Sequence, residues 1–168
     1  MPRIYILAGC AGSGKSTFRS KMIETSPDLV ELSSDDFIEA QARSDGKTYQ
    51  GVYMQYRDAA KADLLEKLGE ATAAERDIVW DQTNLTAKTR RACLELIPDS
   101  YTFVGIGFEA PLSLTLERVY ERALATGKEL PDEVVRAQHA GYERPHFDEG
   151  FDHVMVVHAP SERIEVVS

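Results

Sequence analysis

Apolar residues along this chain gather in short runs, and the stretches between them carry helical spacing. Strand-like runs occupy 4–8 (Ile4-Tyr5-Ile6-Leu7-Ala8), 29–32 (Leu29-Val30-Glu31-Leu32), 78–80 (Ile78-Val79-Trp80), 102–108 and 154–157. The first is apolar throughout, as a strand covered on both faces requires. Trp80, inside a predicted central strand, reads as core. Between the runs, Tyr53, Tyr56, Ala60, Leu64 and Leu68 fall on one stripe, which predicts a helix over 53–68. Thr86 opens a second helix that Pro98 closes. Leu112, Leu116, Val119 and Ala123 face inward on a third, from Leu112 to about Ala125. Gly127 through Pro131 breaks it, and Asp132 caps a fourth that ends near Tyr142. Strands alternating with helices predict an α/β fold with a parallel sheet. Ligands in such sheets bind at the carboxyl ends of the strands.

The 168 residues suit a single domain over 1–168 with a core of its own. No repeat or Pro/Gly/Ser linker divides them. Hydrophobic residues make up 43%, yet no run is long enough to span a bilayer. The first residues lack the apolar length and cleavage site of a signal peptide. Cys10 and Cys93 make no disulfide framework, so a cytoplasmic setting is expected. The formal net charge of −9 argues against a broad nucleic-acid face, although it leaves room for a local channel.

The chemistry concentrates at Gly9-Cys10-Ala11-Gly12-Ser13-Gly14-Lys15-Ser16-Thr17, which reads G-x-x-x-x-G-K-S-T. It follows a strand-like run and leads into a helical one, the context of a triphosphate-binding loop. Glycines let successive N–H groups turn inward, and the new helix aims its positive end at the same spot. Gly12, Ser13, Gly14, Lys15, Ser16 and Thr17 are therefore the expected ATP-binding residues. Lys15 would reach the β- and γ-phosphates, and Ser16 would ligate Mg²⁺.

Ser33-Ser34-Asp35-Asp36-Phe37 follows the second strand, with Asp35 twenty positions after Lys15. Asp35 is expected as the general base toward an acceptor hydroxyl, and Asp36 as a first-turn acid of the next helix. Ile78-Val79-Trp80-Asp81 is an apolar strand ending in a carboxylate, the layout that holds Mg²⁺ directly or through water. Ser16 and Asp81 are the expected metal ligands.

These residues resemble the kinase domain of phage polynucleotide kinase–phosphatase. The resemblance rests on the phosphate loop, Asp35-Asp36, Asp81-x-Thr83-Asn84-Leu85 with Arg90-Arg91, and the segment from Leu112 through Arg122 and Gly127 to Pro131. It covers about residues 3–145 and implies a P-loop kinase fold: three α/β/α layers, a five-stranded parallel sheet and a helical lid over about 118–131. It also implies ATP as donor and Asp35 as base. Ser34 and Ile38 depart from it, because the family carries there arginines that grip phosphates of the nucleic-acid acceptor. Thr126 departs too, replacing a lid arginine. Serine and isoleucine cannot reproduce a bidentate arginine–phosphate contact. The expected reaction is transfer of the γ-phosphoryl group to a polynucleotide hydroxyl, at a 5′ end or on a hydroxymethylated pyrimidine in phage DNA. A small-molecule or nucleoside kinase is the alternative. So is a hydrolysing switch, for which Gln82 would be the water-positioning residue.

Arg122 is the expected lid cation, while Arg118 and Lys128 fit either that role or ordinary helix-surface pairing. Arg90 and Arg91 fit either a nucleic-acid backbone or a solvated helix face. Tyr49, Tyr53 and Tyr56 lie at the spacing of a base-stacking ladder, but the stripe is assigned to the core. His139, His146, His153 and His158 show no metal-ligand spacing with the cysteines. Residues 43–52 read as a loop positioned to cover an acceptor.

Overall fold

The computed structural model describes residues 1–167. Six strands form one sheet in the order β2-β3-β1-β4-β5-β6. They are β1 (Arg3–Ala8), β2 (Val30–Leu32), β3 (Ile78–Asp81), β4 (Thr102–Glu109), β5 (His153–His158) and β6 (Arg163–Val167). The first five run parallel, with β1 in the middle between β3 and β4. The five predicted strands are thus all present. The sheet differs from the expectation by β6, which pairs antiparallel with β5 at one edge. Its residues Arg163-Ile164-Glu165-Val166-Val167 are largely exposed, so the continuous apolar run that marks the inner strands is missing there.

Successive residues of β1 point to opposite faces and seed two cores. Ile4 and Ile6 pack with Leu32, Leu64, Leu68, Ile78, Trp80 and Tyr101 on one face. Leu7 packs with Val79, Ile106, Phe108 and Val157 on the other, under Phe18 and Met22. Helices α1 (Lys15–Thr25), α2 (Ser34–Asp45), α3 (Tyr49–Ala73), α4 (Ala87–Leu94), α5 (Leu112–Thr126) and α6 (Asp132–Ala140) complete the α/β alternation.

Four helical expectations need correction. Residues 43–52 are not a loop: α2 runs to Asp45 and closes on Gly46, whose φ of 62° is the left-handed cap. Thr48 then caps α3 by accepting from the Gly51 N–H, so only 46–48 connect the two helices. Ile38 and Ala42 of α2 meet Val52 and Ala60 of α3 in a third small core. α3 thus starts before the predicted 53–68 helix, and at its other end it runs on to Ala73, where Ala71 joins the first core. In α6, Pro131 takes the N-cap position and Asp132 is the first helical residue, where its charge faces the helix's positive end. On α5, Thr115 and Val119 are the buried positions, with Leu112, Leu116 and Ala123 only partly covered. Thr86 caps α4 as expected. No helix among the described residues is long and apolar enough to cross a membrane.

Candidate functional site

The carboxyl ends of β1, β2 and β3 open onto one cavity of about 1360 Å³. β1 leads into the 9–17 loop, β2 into Ser33–Asp36, and β3 ends on Asp81. Gly12, Ser13, Gly14, Lys15, Ser16, Thr17, Asp35, Asp81 and Arg122, the residues singled out from sequence, all line it. Contacts far apart in the chain therefore converge on one place, the mark of a ligand site in an open α/β sheet.

The phosphate loop has the backbone its glycines require. Gly12 and Gly14 sit at φ 77° and 109°, where an L side chain is strained. A Cβ on Gly12 would lie 2.6 Å from the Thr115 carbonyl oxygen, so glycine also lets α5 press against the loop. Gly14 is the N-cap of α1, and no side chain caps that end. Its N–H groups remain available to an anion. Lys15 is buried and donates to the carbonyls of Gly9 (2.7 Å) and Cys10 (3.0 Å). Burial lowers its pKa, against the pull of Asp81. Gln138 of α6 accepts from the Ala11 N–H at 2.9 Å, and Arg118 donates to the Gly12 carbonyl at 3.3 Å. Arg122 lies within electrostatic reach of both Lys15 and Asp35. Its Nε is buried without a partner, an expensive arrangement that an anion in the cavity would relieve.

Behind the loop stands a group not singled out from sequence. Arg19, one turn after Lys15, makes ion pairs with Glu31 (2.8 Å), Asp36 (3.1 Å) and Asp81 (2.9 Å). It holds the Asp81 carboxylate beside Ser16, whose hydroxyl lies 3.5 Å away. Burial raises the pKa of Asp81 despite Lys15 and Arg19. Burial, and then a hydrogen bond with Asp36, push Glu31 up to about 7. A hydroxyl and a carboxylate crowded by further carboxylates make a hard-oxygen donor set that fits Mg²⁺.

The opposite wall belongs to α2 and α3. Asp35, in the first turn of α2, accepts from the Tyr49 hydroxyl at Oδ1 (2.7 Å) and from Lys128 at Oδ2 (2.8 Å). Partial burial pushes its pKa up, but Lys128, Tyr49 and Arg122 outweigh that and hold it below the ordinary carboxylate value. Lys128 also meets Glu39 at 2.8 Å and lies 4.3 Å over the Tyr49 ring. Gln50 of α3 donates to the Glu129 carbonyl, so the 127–131 segment rests on this wall.

Several sequence expectations change at this site. The tyrosine stripe is core only in part: Tyr49 and Tyr56 are half-buried against the α2–α3 core while their hydroxyls donate to Asp35 and Asp45, and Tyr53 is 42% exposed. Arg90 fits neither of its two readings. It is fully buried, paired with Glu149 at 2.6 Å, and donates to the carbonyls of Asn84, Leu85 and Glu143. Arg91 is exposed and donates to Asp148. Of the departures from the family pattern, Ile38 is only 2% exposed and packs against α3, whereas Ser34 accepts from Gln82 at 3.0 Å. Gln82 in turn accepts from Trp80 at 3.1 Å, so its amide is engaged at both ends. The two cysteines are buried and free. Arg19, Glu39 and the site role of Tyr49 were missed. Arg19 left one usable trace, its position four residues after Lys15 on the same face of α1.

Sheet order, phosphate loop and opposed carboxylate wall together define a P-loop domain of the kinase type. The chain belongs to the AAA domain family, whose model matches residues 4–145. It is similar to the L-seryl-tRNA(Sec) kinase of Methanococcus maripaludis, 27% identical over 147 residues. That match covers 84% of this chain and 53% of the relative, so the chain spans about half the length of this curated relative. Among solved structures, a chain of the Pnkp1/Rnl/Hen1 RNA repair complex matches with a TM-score of 0.68 at 21% identity, over 83% of this chain and 43% of that one. AvrRxo1-ORF1:ORF2 with ATP matches with a TM-score of 0.77 at 14% identity, over 99% and 57%. At such identities the two structures speak for the fold.

Proposed function

We propose that this protein is a Mg²⁺-dependent kinase that transfers the γ-phosphoryl group of ATP to an alcohol. One observation carries the reading: Asp35, ionised and partly exposed, lines the same cavity as a complete phosphate loop. In this reading Lys15 and the 12–17 backbone hold the triphosphate, and Ser16 and Asp81 hold the metal. A Mg²⁺ held by those two residues would supply charge neutralisation at the triphosphate. The acceptor hydroxyl gives its proton to Asp35 as its oxygen bonds to the γ-phosphorus. The bond from that phosphorus to the β,γ-bridging oxygen breaks, and ADP leaves. Arg122, reaching from a lid over 118–131, stabilises the charge that develops in transit.

The same geometry bears on the acceptor. Ser34 and Ile38 supply no phosphate clamp, and Ile38 does not face the cavity. This favours an alcohol recognised without a neighbouring phosphate, on a small molecule or a modified base, over a 5′-hydroxyl end. The archaeal relative's name puts its acceptor on a seryl group carried by tRNA, which is also not a 5′ end. The switch reading loses support because Gln82, its water-positioning candidate, is tied to Trp80 and Ser34. An ATP donor and two free thiols support a cytoplasmic site of action.

The test is transfer from γ-labelled ATP with Mg²⁺ to a panel. The panel holds 5′-hydroxyl oligonucleotides, 5′-blocked DNA with hydroxymethylpyrimidines, nucleosides, small alcohols and a lane without acceptor. Label in an alcohol is expected. Free phosphate alone, in every lane, would overturn the reading.

A further inference from the structure

The wall opposite the phosphate loop holds more negative charge than the transfer chemistry requires. Asp35 suffices as a base, yet Glu39 stands one helical turn further along α2, and both turn toward the same point. That point is filled by the chain's own ammonium group. Lys128 Nζ lies 2.8 Å from Asp35 Oδ2, 2.8 Å from Glu39 Oε1 and 4.3 Å from the centre of the Tyr49 ring. Two carboxylates and an aromatic face are the surroundings that recognise a primary ammonium, through charge-assisted hydrogen bonds and a cation–π contact. The Lys128 side chain is 13% exposed there, so the seat encloses its occupant.

The occupant arrives on a lightly held segment. Lys128 follows Gly127 in the connection between α5 and α6, and neither Gly127 nor Glu129 is covered. The connection is tied to α5 and α6 at its ends, by Gly127 N–H to the Ala123 carbonyl (2.8 Å) and by the Val134 and Val135 N–H groups to the Pro131 carbonyl. Between them it has Lys128 N–H to Thr126 Oγ1 (3.2 Å) and Glu129 N–H to the Gly127 carbonyl (3.1 Å). Gln50 supplies one more, to the Glu129 carbonyl. If Lys128 leaves, Asp35 and Glu39 lose the one cation that pairs with both. Among the described residues, no other cation lining the cavity pairs with both carboxylates: Arg122 acts on Asp35 through space without a hydrogen bond to it, and Lys15 donates to the Gly9 and Cys10 carbonyls. Arg19 is paired with Glu31, Asp36 and Asp81, Lys21 with Glu162, and Arg118 is turned to the phosphate loop.

We propose that Asp35, Glu39 and the Tyr49 ring form the binding site for a primary ammonium on the acceptor. The acceptor is then an amino alcohol, and Lys128 occupies its place when none is bound. The inference rests on the kinase reading above and names the acceptor class within it. A vicinal amino alcohol suits the site because its two heteroatoms are close enough to share one carboxylate. The ammonium sits on Asp35 Oδ2 and Glu39, and the hydroxyl approaches Asp35 Oδ1, which has a second lone pair beside the Tyr49 bond. The reaction balances as before: oxygen bonds to the γ-phosphorus, the hydroxyl proton passes to Asp35, and ADP leaves. The nitrogen stays protonated and does not react.

The test uses 2-aminoethanol, its N-acetylated form, glyceric acid and a 5′-hydroxyl oligonucleotide as acceptors for γ-labelled ATP. ATP affinity is measured alongside. The wild-type protein should favour 2-aminoethanol over the N-acetylated form by about tenfold or more, the scale of one charged hydrogen bond. Glu39→Gln should erase that preference and leave ATP affinity unchanged. Lys128→Met should empty the seat and raise transfer to 2-aminoethanol several-fold, without raising transfer to the N-acetylated form. Equal or better transfer to the N-acetylated or anionic acceptors would overturn the ammonium site while sparing the kinase reading. A Lys128→Met variant that slows transfer to all acceptors alike would also overturn it, by making Lys128 a lid cation and not a stand-in. Free phosphate as the only labelled product would overturn both.

Discussion

The two walls of the cavity are built on opposite principles. The phosphate-loop wall is made of backbone: glycines in the left-handed region, a helix end with no side-chain cap, and one lysine held by two carbonyls. The α2–α3 wall is made of side chains, with Asp35, Glu39 and Tyr49 gathered on Lys128. A backbone cradle recognises any triphosphate of the right shape and tolerates little change of sequence. A side-chain wall can be rebuilt residue by residue. In the proposed reading the donor half therefore rests on backbone and the acceptor half on side chains, and the two can be tested apart.

The largest expected effect breaks the comparison at its acceptor side. Asp35→Asn keeps the shape and removes the proposed base, so transfer should fall by about 10²–10⁴-fold while ATP affinity holds. Equilibrium ATP binding measured beside the transfer rate checks it. An equal loss in both would mean that the walls are not separate. Arg122→Ala comes next. It removes the cation between the walls and should lower kcat by about 10²-fold, with a smaller effect on ATP affinity.

A third change addresses the backbone cradle. Gly12→Ala sets a Cβ against the Thr115 carbonyl at a positive φ, a cost of about 1–2 kcal/mol before any collision is counted. ATP affinity should fall by about tenfold or more, and binding of an acceptor in the absence of ATP should not change. The smallest effect is a pH shift. Lys128 helps to hold Asp35 below the ordinary carboxylate value, so the base works from that lower pH upward. Lys128→Met raises the Asp35 pKa, and the acid limb of the kcat/KM profile should move to higher pH. The stability from the Asp35–Lys128 pair is complete above the ordinary carboxylate pKa and lost as pH falls through the depressed value, and the variant should lack that dependence.

The same contrast explains what was legible in the sequence. The phosphate loop reads directly because its chemistry is local: nine adjacent residues specify the turn, the helix start and the lysine. The placement of Asp35 and Asp81 on the cavity was legible too, each lying at or just past the end of a predicted strand. Lys128 and Glu39 did not, because their meeting spans 89 positions and no local pattern encodes it. Arg90 failed likewise. Its partner Glu149 lies 59 residues on, so a buried, fully bonded arginine looks in sequence like a surface one. The tyrosine stripe was legible only in part: Tyr49 and Tyr56 do pack on the α2–α3 core, but a helical stripe does not say which carboxylates their hydroxyls meet. β6 went unread because an exposed edge strand lacks the apolar run that marks the inner five.

The central claim is that the γ-phosphoryl group crosses directly from the backbone wall to an alcohol on the side-chain wall. Stereochemistry at phosphorus tests it most directly. ATP made chiral at the γ-phosphorus with oxygen isotopes would be turned over with the acceptor that takes label, and the product's configuration determined. One in-line displacement predicts inversion. Retention would mean two displacements through a phosphorylated side chain, and would contradict the role of Asp35 as a base toward the acceptor hydroxyl.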